Sequence, residues 1–354
     1  MKAVVMKRYG TSDSALEFVE DHPIPEVEAD KILIKLKYAS VNPVDWKIRD
    51  GIMRPFFPPK FPYILGRDGS GIVTQVGNKI KNFKEGDEVV GTFSENGGYA
   101  QYVACKENDI CIKPKELTWD VAASFPLVAL TVYQMFQTSK IFAEALQKRQ
   151  TNLLPEKRVL IVGASGGTGS LAVLLAKHYF GSYVYAVCGT SNIDYVKSLG
   201  ADVVIDYKND DFANVIPTFE SEQGRPIAPY IDLALDCAGG ADADAISLMD
   251  NTGTFSTIAP PKNANTLFGA TSLVGGFAMN KFKQYTGYGP SVNFVMMKSN
   301  GEQLDHICKW MVEQNLSEKI NIEQTFKLDD TKVAHKTSEE GRTRGKILLE
   351  IPDK

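Results

Sequence analysis

A glycine-rich loop that could bind phosphate lies in the middle of the chain, in RVLIVGASGGTG at 158–169. An apolar run predicts a strand before the loop, and SLAVLLAKHYF predicts a helix whose positive dipole end faces it. Gly163 permits a tight turn, and Gly169 lets the helix pack against the strand, while Gly166 and Gly167 let backbone N–H groups approach a pyrophosphate. The alternative is a strand-to-helix turn that binds nothing. The candidate pyrophosphate residues are Gly163, Ser165, Gly166, Gly167, Thr168 and Gly169.

The turn after the next predicted strand indicates which dinucleotide binds. NAD sites usually carry Asp or Glu at this strand end, and here no carboxylate occurs before Asp194. Small neutral residues leave room and donors for a 2′-phosphate, which a carboxylate would repel, so the turn favours NADP(H). Ser191 could instead cap the next helix, and Tyr207 could flank the adenine or be an ordinary turn residue. The candidate ribose and adenine residues are Gly189, Thr190, Ser191, Asn192 and Tyr207.

The composition excludes several classes of protein. The 354 residues are 44% hydrophobic and 23% charged, as in folded domains, and the length suggests two of them. A formal net charge of -4, without a long run of either sign, does not indicate nucleic-acid binding. The longest apolar stretch, 121–136, is too short and too interrupted for an integral membrane segment. Five scattered cysteines and the lack of a signal-peptide pattern make the cytoplasm the expected location.

The elements that must position these residues form two regions. Over 1–115, short alternating runs between turn residues predict antiparallel strands, with a proline-rich loop at 50–62. A helical stretch at 119–147 follows, with a break expected at Pro126, and then strands and helices alternate. This alternation predicts an α/β fold with a doubly wound parallel sheet, and two strands near the carboxyl end could return to the first region. The six predicted sheet strands are 158–163, 183–188, 202–206, 231–236, 253–258 and 272–276.

Several motifs occur together in an order that resembles the medium-chain dehydrogenase/reductase superfamily, in its zinc-free branch of quinone oxidoreductases and 2-alkenal reductases. They include ASVNPVDWKIRDG (39–51), FPYILGRDGSGIVTQVG (61–77), GGYAQYV (97–103), VGASGGTGSLAVLLAK (162–177) and GRTRGKILLEI (341–351). The resemblance covers nearly the whole chain. It implies a GroES-like, strand-rich catalytic domain of residues 1–128 and 286–354, and a Rossmann NADP(H)-binding domain of residues 129–285, with the active site in the cleft between them.

The resemblance also implies roles for residues outside the glycine loop. Asn42 and Asp45 would lie near the nicotinamide and the substrate, although Asp45 could instead brace its own loop. The further implied cofactor contacts are Thr131, Thr257, Ile258 and Ala259 on the nicotinamide side, Gly276 and Phe277 over the ring, and Arg344 and Lys346 at the phosphates.

Zinc-dependent members of the superfamily carry ligands that this chain lacks. They have a cysteine where SVNPVDW stands, Gly-His-Glu where Gly66, Arg67 and Asp68 stand, and a four-cysteine lobe after about residue 90. Catalytic zinc needs about three converging ligands, whereas the four histidines here are isolated in sequence, so no metal site is expected. Arg67 could form a buried ion pair with Asp68 or contact the substrate.

Without a metal, the chemistry that these residues suit is hydride transfer to an electron-poor alkene or quinone, with a few donors stabilising the charge on a carbonyl oxygen. Tyr63 could orient that carbonyl, or it could be a core aromatic. Phe56, Phe57 and Phe61 could line an apolar pocket or pack under their loop. The candidate catalytic residues are Asn42, Asp45 and Tyr63.

The resulting hypothesis is an NADPH-dependent, zinc-independent oxidoreductase that reduces quinones or α,β-unsaturated carbonyls (2-alkenals and enones) and takes small apolar electrophiles. Two alternatives stay open: an NADPH-binding redox sensor or scaffold without turnover, and an enoyl-thioester reductase. No nucleic-acid partner is expected. Relatives are often dimers that extend their sheets edge to edge, so the resemblance implies a homodimer, with SLVGGFA (272–278) as the edge strand.

Overall fold

The computed structural model describes residues 1–54, 58–95, 97–225, 228–259 and 289–353. Its backbone divides into a first unit, Met1–Leu130 with Lys298–Lys354, and a second unit, Thr131–Met297. Phe56, Phe57, Gly276, Phe277 and the predicted strand at 272–276 lie outside the described residues.

The first unit consists mainly of strands, as the alternating runs in its sequence predict. Apolar side chains such as Ile32, Ile34 and Val73 point to one face of these strands and fill the core. The strands are β1 (Ala3–Met6), β2 (Leu16–Val19), β3 (Lys31–Val41), β4 (Tyr63–Ile64), β5 (Asp68–Val76), β6 (Glu88–Thr92), β7 (Tyr102–Lys106), β8 (Ile110–Ile112), β15 (Ile322–Lys327) and β16 (Lys346–Glu350).

Proline residues mark where two helices of the first unit begin. Pro43 and Pro126 occupy first helical positions, where the missing N–H costs nothing and the fixed φ suits the helix. Pro126 also separates two helices, as the sequence predicts. The helices are α1 (Ser12–Ala15), α2 (Pro43–Arg49), α3 (Trp119–Ser124), α4 (Pro126–Phe136, which contains the unit boundary), α10 (Gly301–Glu313) and α11 (Thr331–Glu339).

The carboxyl-terminal strands complete the main sheet of the first unit. Its strand order is β15-β16-β3-β5-β6-β8, and β7 also pairs with β3. β16 runs antiparallel to β3 with Ile347 opposite Val41, and β15 runs parallel to β16. A smaller sheet has the order β2-β1-β4. Residues more than 300 positions apart, such as Val41 and Ile347, therefore become neighbours.

The second unit contains a parallel sheet flanked by helices. Val159, Leu160 and Ile161 are consecutive and all fully buried, as expected for a strand covered on both faces. The strands are β9 (Arg158–Val162), β10 (Tyr183–Cys188), β11 (Val203–Asp206), β12 (Leu233–Asp236), β13 (Thr254–Thr257) and β14 (Ser291–Phe294). The helices are α5 (Lys140–Lys148), α6 (Gly167–Leu174), α7 (Ile193–Ser198), α8 (Phe212–Glu222) and α9 (Asp242–Ser247).

The strand order of this sheet is β11-β10-β9-β12-β13-β14, and every pair in it is parallel. This is the doubly wound order in which the chain direction across the sheet reverses between β9 and β12, and such sheets bind ligands at that point. The doubly wound prediction is therefore confirmed. The sixth strand of the described sheet is Ser291–Phe294, which pairs with β13. The sequence-based boundary at 285/286 assigns this strand to the other domain, whereas its backbone pairs with β13 of the second unit.

Candidate functional site

The pairing of β16 with β3 brings Lys346 to Asn42. Ile347 is opposite Val41, so the next residues along the two strands, Lys346 and Asn42, meet where the pairing ends. The Lys346 ammonium donates a hydrogen bond to Asn42 Oδ1, and both residues are buried. Burial lowers the pKa of Lys346, and nearby carboxylates oppose that shift. This buried position differs from the phosphate contact that the resemblance implies for Lys346.

The amide of Asn42 is held on both sides. Its Nδ2 donates to Asp68 Oδ1 at 2.8 Å and to the carbonyl of Ser40 at 3.4 Å. Asp68 also accepts the backbone N–H of Leu127 at 3.1 Å. Burial raises the pKa of Asp68 to about 7, although Lys346 lowers it. Lys346 and Asp68 together fix which end of the Asn42 amide faces which neighbour.

Asp45 lies in the first turn of α2, next to Asn42. Its Oδ2 accepts the backbone N–H of Asn42 at 2.8 Å and the hydroxyl of Tyr99 at 2.9 Å. Its Oδ1 is buried and has no hydrogen-bond partner among the described residues. Burial raises the pKa of Asp45 to about 6, against the lowering effect of these two donors and of the Arg67 and Lys346 charges. Asp45 thus braces its loop, as the alternative interpretation holds, and also presents one free carboxyl oxygen.

Tyr99 and His335 join this buried cluster, and the sequence does not single them out. His335 Nε2 lies 3.3 Å from the Tyr99 hydroxyl, and His335 Nδ1 lies 3.2 Å from Arg49 Nη1. The structure brings Tyr99 rather than Tyr63 to Asp45. The motif GGYAQYV was the available signal, since Tyr99 lies in it, but spacing alone does not connect it to Asp45.

Tyr63 and Arg344 lie elsewhere in the first unit. The Tyr63 hydroxyl donates to the carbonyl of Glu95 at 3.5 Å. The backbone of Arg344 is held in the turn before β16 by the Glu323 carboxylate and the Asn321 amide, each at 2.6 Å. These contacts leave the predicted roles of Tyr63 and Arg344 as predictions.

The glycine loop of the second unit has the shape that a pyrophosphate requires. Gly163 has φ +79°, a conformation that side-chain-bearing residues rarely adopt. A Cβ on Gly169 would lie 2.1 Å from the Gly163 carbonyl oxygen, so this glycine is needed for the close packing of α6. A Cβ on Gly166 would meet only that oxygen, at 3.6 Å, and would otherwise project into open space in front of the helix. The open space at Gly166, before the first turn of α6, forms a cradle that can receive a phosphate, and a methyl group there would take up room that the phosphate needs. The residues present therefore fit a dinucleotide.

The turn after β10 is linked to this loop. Asn192 Nδ2 donates to Ser165 Oγ at 3.1 Å, and the ring of Tyr207 lies beside Gly189 while 63% of that tyrosine is exposed. Thr190 Oγ1 donates to Asp206 Oδ2 at 2.6 Å. This hydrogen bond lowers the pKa of Asp206. Sequence reasoning missed Asp206, because its carboxylate reaches the turn from the neighbouring strand β11.

The loops after β12 and β13 lie beside the glycine loop at the point where the sheet reverses. A Cβ on Gly163 would lie 3.1 Å from Ala238 Cβ, and one on Gly239 would lie 2.7 Å from Ala259 Cβ. Asp236 accepts the Thr257 hydroxyl at 3.3 Å, and its carbonyl accepts the Ile258 N–H at 3.3 Å. The segment 257–259 is therefore close to the glycine loop. Thr131, the first residue of the second unit, is buried in α4.

The described residues contain neither a metal-binding cluster nor a membrane-spanning helix. Within the described ranges, no three His, Cys, Asp or Glu side chains are grouped so that they could hold a metal ion. The helices of those same ranges include none with the length and apolarity needed to cross a membrane.

Comparisons with known proteins agree with this architecture. Residues 28–115 match the family model described as alcohol dehydrogenase GroES-like domain, and residues 199–349 match the one described as zinc-binding dehydrogenase. The quinone-oxidoreductase QR1 of Triphysaria versicolor, a chloroplastic protein, is 34% identical over 99% of this chain and 98% of its own. The chloroplastic NADPH-dependent alkenal/one oxidoreductase of Arabidopsis thaliana is 36% identical over 61% of this chain and 54% of its own.

Among solved structures, the quinone oxidoreductase from Coxiella burnetii superposes with a TM-score of 0.77 at 27% identity and covers 99% of both chains. The full-length match to QR1 and this fold confirm the resemblance that the motifs indicate. The chain belongs to the quinone-oxidoreductase branch of the medium-chain dehydrogenase/reductase family of oxidoreductases.

Proposed function

We propose that this chain is an NADPH-dependent, zinc-independent reductase that transfers hydride to quinones or α,β-unsaturated carbonyls. The observation that carries the proposal is Asp45 Oδ1, a buried carboxyl oxygen without a hydrogen-bond partner in the described chain, beside the firmly held amide of Asn42. A buried polar atom left unsatisfied costs free energy, so its retention indicates a role with a ligand. The names of QR1 and of the alkenal/one oxidoreductase support the substrate class.

In this proposal, the pyrophosphate and ribose of NADP(H) bind at the carboxyl ends of the parallel strands β9 and β10. The open cradle at Gly166 and the first turn of α6 would receive the pyrophosphate. The turn at 189–192 would receive the ribose phosphate, with Tyr207 against the adenine. Thr131, the segment 257–259, Gly276, Phe277 and Arg344 complete the proposed set. When bound, NADPH supplies the hydride.

The first unit would stabilise the charge that develops on the acceptor. Reduction of a conjugated carbonyl or quinone places negative charge on an oxygen, and buried cations stabilise such charge strongly. Lys346 and Arg67 are both buried cations of the Asp45 cluster. Asp45, with its pKa raised to about 6, can hold a proton at Oδ1 in mildly acidic solution.

The test is the absorbance decay of NADPH, and of NADH in parallel, with chelator-treated protein. The acceptor panel holds a quinone, a 2-alkenal, an enone, an enoyl thioester and a saturated aldehyde. We expect reduction of the quinone, alkenal or enone, with NADPH preferred. Activity only on the saturated aldehyde, or only with added zinc, would contradict the mechanism. Tight NADPH binding without turnover would favour the sensor or scaffold.

We also propose a homodimer in the cytoplasm with small apolar electrophiles as substrates. Sedimentation equilibrium at micromolar concentration should give twice the mass of one chain. Fluorescent tagging in cells checks the location, and a plastid or mitochondrial signal would contradict it.

A further inference from the structure

A hydrogen-bonded series of buried side chains, Arg49, His335 and Tyr99, leads to Asp45 in the first unit. Arg49 Nη1 lies 3.2 Å from His335 Nδ1, and His335 Nε2 lies 3.3 Å from the Tyr99 hydroxyl. That hydroxyl lies 2.9 Å from Asp45 Oδ2. All four residues are fully buried, and they come from α2, α11 and the segment before β7. A hydrogen-bonded series of this kind needs an explanation, because buried polar groups are costly when they are not satisfied.

The donors and acceptors of this hydrogen-bonded series can be arranged in only one direction. A guanidinium has donors and no acceptor, so Arg49 donates to Nδ1 of His335. Nδ1 must then carry a lone pair, and the neutral imidazole carries its proton on Nε2. That N–H donates to the Tyr99 oxygen, whose own proton is left to donate to Asp45 Oδ2. Burial and the Arg49 charge lower the pKa of His335 to about 3, which agrees with a neutral ring.

The donor-to-acceptor direction of these hydrogen bonds decides which oxygen of Asp45 can carry a proton. Oδ2 already accepts two hydrogen bonds, from the Tyr99 hydroxyl and from the backbone N–H of Asn42. A proton on Oδ2 would have to displace one of these donors. Oδ1 is buried and, among the described residues, accepts no hydrogen bond.

We propose that Arg49, His335 and Tyr99 are positioning residues that saturate Oδ2 of Asp45 and thereby place its reactive proton on Oδ1, the oxygen that delivers it to the substrate. Delivery to a substrate rests on the proposed function, whereas the location of the proton does not. Tyr99 itself is excluded as the proton donor, because its hydrogen is committed to Oδ2.

The proton-transfer step balances with the proposed reduction. The acceptor gains a hydride at its β-carbon from NADPH, the reductant of the proposed function, and the π pair moves to give an enolate. The Asp45 Oδ1–H bond then breaks, its electron pair stays on the carboxylate, and the proton goes to the enolate. The alkene has gained two hydrogens and two electrons, and water reprotonates Asp45 for the next turnover.

Other charged groups lie near this hydrogen-bonded series, and their titration must be separated from that of Asp45 when the pH is varied. Arg67, which precedes β5, Asp68, its first residue, and Lys346 of β16 act on Asp45. At the far end, Arg49 pairs with Asp50 at 2.5 Å and with Glu339 at 2.7 Å. Burial raises the pKa of Asp68 to about 7, so Asp68 also titrates near neutrality. The measurements are therefore made in wild-type protein and again in Asp68→Asn.

Infrared difference spectra of the protein without nucleotide test where the proton lies. The carboxylic-acid C=O band that appears between about pH 8 and pH 4, and that Asp45→Asn removes, belongs to Asp45. With the proton on Oδ1, the carbonyl oxygen is Oδ2, and its two hydrogen bonds lower the stretching frequency. Tyr99→Phe removes one of them, so the band should move to higher frequency. Because a hydrogen bond to a charged group is lost, the titration midpoint should rise by about one pH unit.

His335 variants test the part of the hydrogen-bonded series beyond Tyr99. His335→Leu should move the band and the midpoint in the same direction as Tyr99→Phe, by a smaller amount. His335→Gln should restore both, because its amide oxygen can accept from Arg49 while its N–H donates to Tyr99. Tyr102→Phe, on β7 of the same unit, is the matched control and should leave both unchanged. Urea unfolding of each variant shows whether it is folded.

The outcomes separate this proposal from the proposed function. An Asp45 band at high frequency that Tyr99→Phe does not move would place the proton on Oδ2 and overturn the proposal. An unchanged midpoint in both Tyr99→Phe and folded His335→Leu would overturn the positioning role. If wild-type protein reduces no acceptor while the band shifts as expected, the proposed function fails and the location of the proton on Oδ1 stands. If the wild-type protein is active, the alkaline limb of its kcat/KM profile should move to higher pH in Tyr99→Phe, together with the infrared midpoint.

Discussion

The ammonium of Lys346 donates a hydrogen bond to the amide oxygen of Asn42, across 304 positions of sequence. The antiparallel pairing of β16 with β3 makes this contact, and it leaves the Asn42 amide nitrogen directed at Asp68. Lys346 thus supplies both the orientation of Asn42 and a positive charge beside two carboxyl groups whose pKa values are raised by burial.

Lys346→Met should weaken both the fold and the activity. The variant leaves Asn42 Oδ1 buried without its donor, which costs about 1–3 kcal/mol in the free energy of unfolding. Loss of the cation should also lower kcat/KM by roughly 10- to 100-fold if it stabilises charge on the acceptor. Urea unfolding and acceptor kinetics measure the two effects. Lys309→Met, which removes an exposed helical ion pair with Asp305, is the control and should change stability by less than about 0.5 kcal/mol.

Two alanine substitutions in the glycine loop should affect different properties, NADPH binding in one case and stability in the other. Gly166→Ala has room for its methyl group in the folded chain, so stability should change by less than about 1 kcal/mol, while the methyl group fills the cradle and weakens NADPH binding. Gly169→Ala places a Cβ 2.1 Å from the Gly163 carbonyl and should cost about 2 kcal/mol or more in stability. Thermal unfolding and fluorescence titration with NADPH check both. Unchanged affinity in Gly166→Ala would contradict the proposed pyrophosphate site.

The charge state of Asp68 should make stability depend on pH. Its pKa rises from 3.8 to about 7 on burial, so between these values the folded chain keeps a proton that the unfolded chain releases. Asp68 therefore contributes stability that is present below about pH 4 and is lost as the pH rises to about 7. His335, whose pKa falls to about 3, has the opposite effect as the pH drops below 6.5.

Comparison with Asp68→Asn separates this effect from that of His335, because His335 is present in both proteins. From pH 4 to pH 7, the free energy of unfolding of the wild type should fall relative to the variant, by at most about 1.4 kcal/mol per pH unit. Urea unfolding at each pH gives the difference. A difference that stays flat or changes sign would show that Asp68 is charged in the folded protein throughout.

A carboxylate in the turn after β10 should reduce the preference for NADPH over NADH. Ser191→Asp would place a negative charge at the predicted 2′-phosphate position and weaken NADPH binding by at least about tenfold, with a smaller effect on NADH. Ser191→Asn, which has the same shape without the charge, is the matched control. Dissociation constants for both nucleotides check the prediction. Equal losses for NADPH and NADH would mean that the 2′-phosphate binds elsewhere.

Local sequence was sufficient to predict five of the six described strands of the second unit, β9 to β13, and the conformation of its glycine loop. A strand, four glycines and a helix follow one another within about 20 residues, and backbone conformation at Gly163 and close packing at Gly169 are properties of that short segment. Consecutive buried apolar residues in β9 likewise required a sheet covered on both faces. Asp206 was not predictable in this way, because it reaches the turn from an adjacent strand.

The cluster in the first unit was decided by tertiary structure. Asn42 and Asp45 belong to one loop and could be named from their motif, but their partners Asp68, Tyr99, His335 and Lys346 come from separate strands, a loop and the last helix. Tyr63 and Tyr99 both lie in motifs, but the Tyr99 hydroxyl bonds to Asp45 whereas the Tyr63 hydroxyl bonds to the Glu95 carbonyl. Strand register is set by long-range packing, so it determines which polar groups are buried together and which pKa values are raised.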